Sequence, residues 1–194
     1  EGFPFYNIPE EYLSQLRQQR ISLYVLHSPL DKNSEYSTSV CLANALNLKI
    51  IDEFCIYEGF KVGVICTTQI KTAPGLKDFI APIIGHEVKL RAYGEELIHE
   101  GKVAVAAGGG SYGFVAEELS KMGINMLITG FTRPLLSFQP TMEFHRIAKE
   151  SGINVLGATH YTTEKYACIE MVRYFIEQGI PAKFLEGSFY LEDL

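Results

Sequence analysis

Residues 102–129 constrain the fold more than any other stretch of the chain. KVAVAA (102–107) is an apolar run of the kind that forms a strand covered on both faces. GGGSYG (108–113) interrupts it, residues 114–122 carry helical periodicity, and INMLIT (124–129) reads as a second buried strand. Strand, loop, helix and strand in so short a span require a parallel pair, and the crossover of such a pair is right-handed. The chain is therefore predicted to be α/β, with mixed sheets flanked by helices.

The same grammar recurs near the C-terminal end. Residues 153–158 are an apolar run that ends just before His160, and Glu164 opens a helical segment. In that segment Ala167, Met171 and Phe175, and again Cys168, Val172 and Ile176, repeat at i, i+4, i+8, which predicts a stripe facing the core. Thr162 or Thr163 is the expected N-cap. His160 and Glu164 then stand at the mouth of the turn, on the carboxyl edge where sheets hold ligands. SLYVLHSPLD has the same shape: a strand over residues 21–26, then His27, a turn with Pro29, and Asp31. Two such turns facing one site supply two imidazoles and two carboxylates, a donor set that suits Zn, Mn, Fe, Ni or Co. Against this stands a plainer reading, in which the acids complement helix N-termini and the histidines merely end strands.

Elsewhere the pattern predicts a helix from Pro9 to about Gln19 after an irregular start over residues 1–9, and another over 37–46 with Val40, Ala43 and Leu46 inward. Residues 50–57 and 61–67 form a hairpin around Glu58-Gly59. A helix spans 73–84, a strand 87–92 and a helix 141–151, with 130–140 irregular and a last strand within 180–194. GGGSYG is not a Walker loop, since no Gly-Lys-Ser/Thr ends it; it is either an anion cradle or a tight turn that needs glycine. His86, His99 and His145 fall beside charged stretches and are expected in solvent. Tyr161 is placed in packing, with a pocket wall as the alternative.

Composition closes off several classes of function. A net charge of −6 with scattered Lys and Arg leaves no basic patch for a phosphate backbone, so nucleic-acid binding by electrostatics is disfavoured. Four widely spaced cysteines, Cys41, Cys55, Cys66 and Cys168, suggest neither zinc ribbon nor disulfide framework, but reduced and mostly buried thiols. No apolar run is long enough to span a bilayer and no signal peptide opens the chain, which points to the cytoplasm.

HSPLD after an apolar strand, VAVAAGGGSYGFVAEELSKMGINMLITG in the middle and GATHYTTEKY near the end resemble, in order and spacing, the Nif-three-like family, often labelled GTP cyclohydrolase 1 type 2 homologues. The resemblance implies a Nif-three-like fold over a single region, 1–194, assembled as a toroidal homohexamer with two divalent metal ions per subunit. It places Asp31, His160 and Glu164 on metal ligands and His27 beside the metals as a proton-transfer group, so the two histidines differ in role. It also implies a metal-dependent hydrolase acting on a nucleotide or related small molecule; the alternative is a non-catalytic ring-forming module with a partial metal site. Two departures are visible. The family's His-His-Pro motif is absent, through loss of an N-terminal segment or through divergence, and Thr129-Gly130 is followed by Phe131 rather than the family's Asp.

Overall fold

The computed structural model describes residues 8–194. Most of the irregular start expected over residues 1–9 lies outside them. The chain opens with α1 (Glu10–Gln18), a single turn α2 (Ser28–Asp31) and α3 (Thr38–Ala45). A hairpin follows, β1 (Lys49–Tyr57) and β2 (Phe60–Thr67), turning at Glu58-Gly59 with both residues at positive φ. Then come α4 (Ala73–Ile84), β3 (Lys89–Arg91), β4 (Lys102–Ala106), α5 (Gly113–Lys121), β5 (Met126–Thr129), α6 (Gln139–Glu150), β6 (Asn154–Gly157) and α7 (His160–Glu177).

Six strands form one mixed sheet in the order β1-β2-β4-β5-β6-β3. Its centre is parallel, β4 with β5 and β5 with β6, as the apolar runs predict. The hairpin joins one side of this centre antiparallel and β3 joins the other. Side chains alternate across the central strands. Val103, Val105, Met126, Ile128 and Leu156 pack with Leu42 and Leu46 of α3 and Leu76, Ile80 and Ile84 of α4. Ala104, Ala106, Leu127 and Val155 pack on the other face with Val115 and Leu119 of α5 and Phe144 and Ile147 of α6. Period-2 alternation in strands whose two faces are both covered is why the sequence reads as continuous apolar runs.

Several expectations fail. Residues 21–26 join none of the six strands and stay largely exposed, Tyr24 at 84% and Val25 at 74%. Apolar alternation there has no neighbouring edge to hydrogen-bond. Residues 180–194 contain no strand, only a 3₁₀ turn at Leu191–Asp193. The predicted stripe of α7 is buried only at Ala167, while Phe175 and Ile176 are exposed, because the helix packs chiefly on the short α3, which does not cover its C-terminal turns. His145 is buried rather than solvated, on the inward face of α6, where it accepts from or donates to the Tyr93 hydroxyl at 3.0 Å.

Candidate functional site

The three parallel strands deliver their carboxyl ends to one edge, and their loops are tied together there. Gly108, after β4, donates its N–H to Thr163 Oγ1 at 2.9 Å, and its carbonyl accepts from the N–H groups of Gly130 and Phe131, after β5, at 3.0 and 2.9 Å. Ala158, after β6, donates to the Thr129 carbonyl at 3.0 Å. Ser111 also donates its hydroxyl to the Phe131 carbonyl. Gly108 and Gly110 are required by this crowding. Gly108 has φ +65, and a β-carbon on it would overlap Oε1 of Glu164 and come within 2.9 Å of Nε2 of His160. One on Gly110 would lie 2.7 Å from both Ala106 Cβ and Thr129 Oγ1. Two loop N–H groups, those of Gly108 and Gly110, are already taken by threonine hydroxyls. The tight-turn reading of GGGSYG is therefore the one the geometry bears out.

Helix α7 begins earlier than the threonine pair suggests. Its N-cap is Thr159, whose hydroxyl accepts from the Thr162 N–H at 3.3 Å, so His160 occupies the first helical position and Thr162 and Thr163 lie inside the first turn. Thr159 sits at φ 59, ψ 148, a region that a β-branched residue enters only when its surroundings force it. Here the surroundings do: its carbonyl accepts from Thr163 Oγ1 at 3.0 Å and its side chain is fully buried. His160 and Glu164, on successive turns of the same face, bond directly, Nε2 to Oε1 at 3.0 Å. The His160 N–H is held by Asp193 Oδ2 at 2.8 Å, an anchor from the C-terminal segment for which the sequence carried no signal.

Asp31 comes to the same place from the end of α2. Its Oδ1 accepts from the Thr38 hydroxyl at 2.9 Å, at the start of α3. His27, the residue before α2, is exposed, with Nδ1 3.3 Å from Ser28 Oγ. All four residues singled out in the sequence, His27, Asp31, His160 and Glu164, line one open cavity of about 140 Å³. Its other walls were not anticipated: Thr38, Cys55, Tyr57, Tyr112 and Phe114 are the chief ones. Tyr112 stands inside the Gly-rich motif and was legible in principle. Tyr161 lies elsewhere, its hydroxyl accepting from the Gly187 N–H at 2.6 Å, and it lines a second cavity beside Gly187 and Phe189 rather than this one.

Charges in the cavity press on one another. Burial pushes the Asp31 carboxyl above its ordinary value, and nearby Glu164 pushes the same way, against the Thr38 hydrogen bond and the two imidazoles. Partial burial favours neutral His160, but the hydrogen bond and charge of Glu164, with Asp193 and Asp31 behind it, prevail and hold the imidazole above its usual range. The Cys55 thiol is pushed by burial to about 12, so it stays protonated and is a poor nucleophile or ligand. One imidazole and two mutually repelling carboxylates are a donor set that fits a borderline divalent cation. As the side chains stand, no group of three or more His, Cys, Asp or Glu among the described residues closes to metal-binding distance. His160 and Glu164 satisfy each other instead.

Comparison with known proteins follows the same lines. Residues 5–186 match the family model for Duf34/NIF3 (NGG1p interacting factor 3). A GTP cyclohydrolase 1 type 2 homolog of Archaeoglobus fulgidus is 32% identical over 172 residues, covering 88% of this chain and 64% of that protein. One from Deinococcus radiodurans is 33% identical over 172 residues, covering 87% and 60%. The chain thus spans 60 to 64% of the length of these curated relatives. Among solved structures, protein ybgI, of unknown function, superposes with a TM-score of 0.75 at 22% identity, over 95% of this chain and 69% of that one. TTHA1606 from Thermus thermophilus gives 0.70 at 24%, over 98% and 71%. These two show a shared fold. No helix among the described residues is long and apolar enough to cross a membrane.

Proposed function

The chain belongs to the Duf34/NIF3 family, and from that premise we propose that it is a divalent-metal-binding protein with hydrolytic chemistry on a small molecule of the nucleotide class. The observation that carries this reading is the convergence of Asp31, His160 and Glu164 on one cavity at the carboxyl edge of the sheet, with His27 on its wall. Asp31, His160 and Glu164 hold the cation. Rotation of Glu164 away from His160 frees both for it. A cation held there supplies Lewis-acid chemistry, polarising an oxygen of water or substrate.

The protein's own groups do the rest. Thr38 fixes one oxygen of Asp31, whose side chain lines the cavity. Asp193 and the Thr159 cap lock the first turn of α7, so His160 presents its ring from a rigid mount. His27, exposed on the wall of the cavity, moves a proton between the cavity and solvent. Substrate class rests on the relatives' label, GTP cyclohydrolase 1 type 2 homolog. Assembly as a homohexameric ring is supported by the resemblance, and by the uncovered apolar residues Ile169, Phe175 and Ile176 on α7, which suit burial against further copies.

Elemental analysis of purified wild type beside Glu164→Ala tests the proposal. Bound Zn, Mn, Fe, Ni or Co is expected in the wild type, with most of it lost in the variant. Equal metal content and equal thermal stability in both would refute it. A second reading is favoured by the closed His160–Glu164 pair: a ring-forming binding or regulatory module that keeps part of a metal site without catalysis. Metal uptake with no turnover of GTP or simpler nucleotides would support that reading.

A further inference from the structure

Helix α7 serves a second cavity with a second pair of side chains. Tyr161 and Lys165 each follow one position after His160 and Glu164, so they stand roughly 100° further round the helix axis. They line a cavity of about 460 Å³. Another wall is the C-terminal segment, with Glu186, Ser188 and Phe189, and Ile84 at the end of α4 completes the lining. Both walls are pinned. The Gly187 N–H donates to the Tyr161 hydroxyl at 2.6 Å, and Phe189 stacks on His86 with centroids 4.3 Å apart at 28°. His86 in turn lies 2.8 Å from Thr162 Oγ1, in the first turn of α7. The cavity is therefore held ready, which spares a ligand the cost of ordering it.

Charge narrows what it accepts. Of the residues lining it, Lys165 and Glu186 alone are charged, and they do not close on each other. Among the described residues neither has an oppositely charged side chain within 4.0 Å. Lys165 Nζ instead lies over the Tyr166 ring, 5.5 Å from its centroid. A simple anion entering here gains Lys165 and is repelled by Glu186, and a simple cation meets the reverse. A ligand that carries both charges satisfies both walls. Ile84 and Phe189 add apolar surface, and Tyr161 and Ser188 add hydroxyls. The volume falls within the range of about 300–1,000 Å³ usual for small-molecule sites, so space remains for a side chain once the charged groups are placed.

We propose that this cavity binds a zwitterion with an apolar side chain, a free α-amino acid or a dipeptide. Its ammonium meets Glu186, its carboxylate meets Lys165, and its side chain packs on Phe189 and Ile84. None of these residues lines the cavity of Asp31, His160 and Glu164, so the site stands independently of the function proposed there.

Calorimetric titration of the full chain with phenylalanine and with leucyl-phenylalanine tests this, and the tighter of the two gives the size of the ligand. Acetylating the amine or amidating the carboxylate is expected to weaken binding on the order of tenfold, as the loss of a charged hydrogen bond does. The glycine counterpart, without the side chain, binds more weakly. Glu186→Gln should abolish the discrimination against the acetylated ligand, and Lys165→Met that against the amidated one. Lys165 is partly exposed and Glu186 exposed, so neither substitution opens the core, and thermal unfolding confirms that the variants fold. Binding of neither compound, blocked or glycine ligands that bind like the parent, or folded variants that bind like the wild type would each overturn the assignment.

Discussion

Glu164 occupies the space in which a side chain on Gly108 would have to stand: a β-carbon there would overlap its Oε1. The first glycine of the Gly-rich loop is therefore set by a carboxylate that lies more than fifty residues further along the chain. Gly108→Ala should displace Glu164 and also strain a backbone at φ +65, lowering stability by about 1–3 kcal/mol. Gly123→Ala is the matched control, since φ is +68 there with nothing within 4 Å. It carries only the backbone cost, so metal uptake should fall in the first variant and not in the second, as read by elemental analysis and thermal unfolding.

Thr163 holds the loop from the other side. Its Oγ1 accepts the buried N–H of Gly108 and donates to the Thr159 and His160 carbonyls. Thr163→Val keeps the shape and leaves that N–H without a partner, which costs about 1–3 kcal/mol. Thr163→Ser should recover most of the loss in a denaturant titration, and equal stability of valine and serine variants would sink the argument.

His145 gives the fold an acid-labile point. Burial, with Arg91 and Lys149 nearby, depresses its imidazole from the ordinary 6.5 to about 4. The unfolded chain then binds the extra proton first, so the contribution of this group to stability is complete above about pH 6.5 and is lost as pH falls toward 4. The full span is of the order of 3 kcal/mol. Stability measured from pH 7 to 4 should fall more steeply in the wild type than in His145→Gln; parallel curves would contradict the assignment.

Thiol reactivity should divide the cysteines. Cys41, Cys55 and Cys66 are buried, with thiols pushed by burial to about 11, 12 and 12, whereas Cys168 is exposed on α7. Native protein at mildly alkaline pH is expected to react with a colorimetric thiol reagent at Cys168 alone, and denatured protein at all four. Rapid labelling of a second thiol would show that one of the buried positions opens.

What the sequence made legible is what local pattern can encode. The β4–α5–β5 unit is written in continuous apolar runs around a glycine break, and the hairpin in Glu58-Gly59. Residues 21–26 have the composition of a strand too, but strandhood is a relationship with a neighbour, and no edge of the sheet meets them. Periodicity in α7 marks a face without saying whether anything covers it. Of the site, His27, Asp31, His160 and Glu164 could be picked out because each stands at a strand or turn boundary in a repeated spacing. Asp193, which holds the His160 N–H, and Tyr57, which lines the cavity, could not, since they arrive there only through the path of the folded chain. Thr159 rather than Thr162 or Thr163 is the cap because its hydroxyl accepts the Thr162 N–H and its backbone is held outside the helical region, a tertiary effect that local pattern does not mark.

The mooring of three loops on the single Gly108 peptide also governs where the chain can tolerate added residues. Loops after β4, β5 and β6 share hydrogen bonds through Gly108, Thr129, Gly130 and Thr163, so lengthening any one of them would drag the other two out of register. The turn at Glu58-Gly59 is exposed, and Gly59 has open space around it. Added residues belong between Glu58 and Gly59 rather than in the three moored loops, with Tyr57 beside them kept because it lines the cavity.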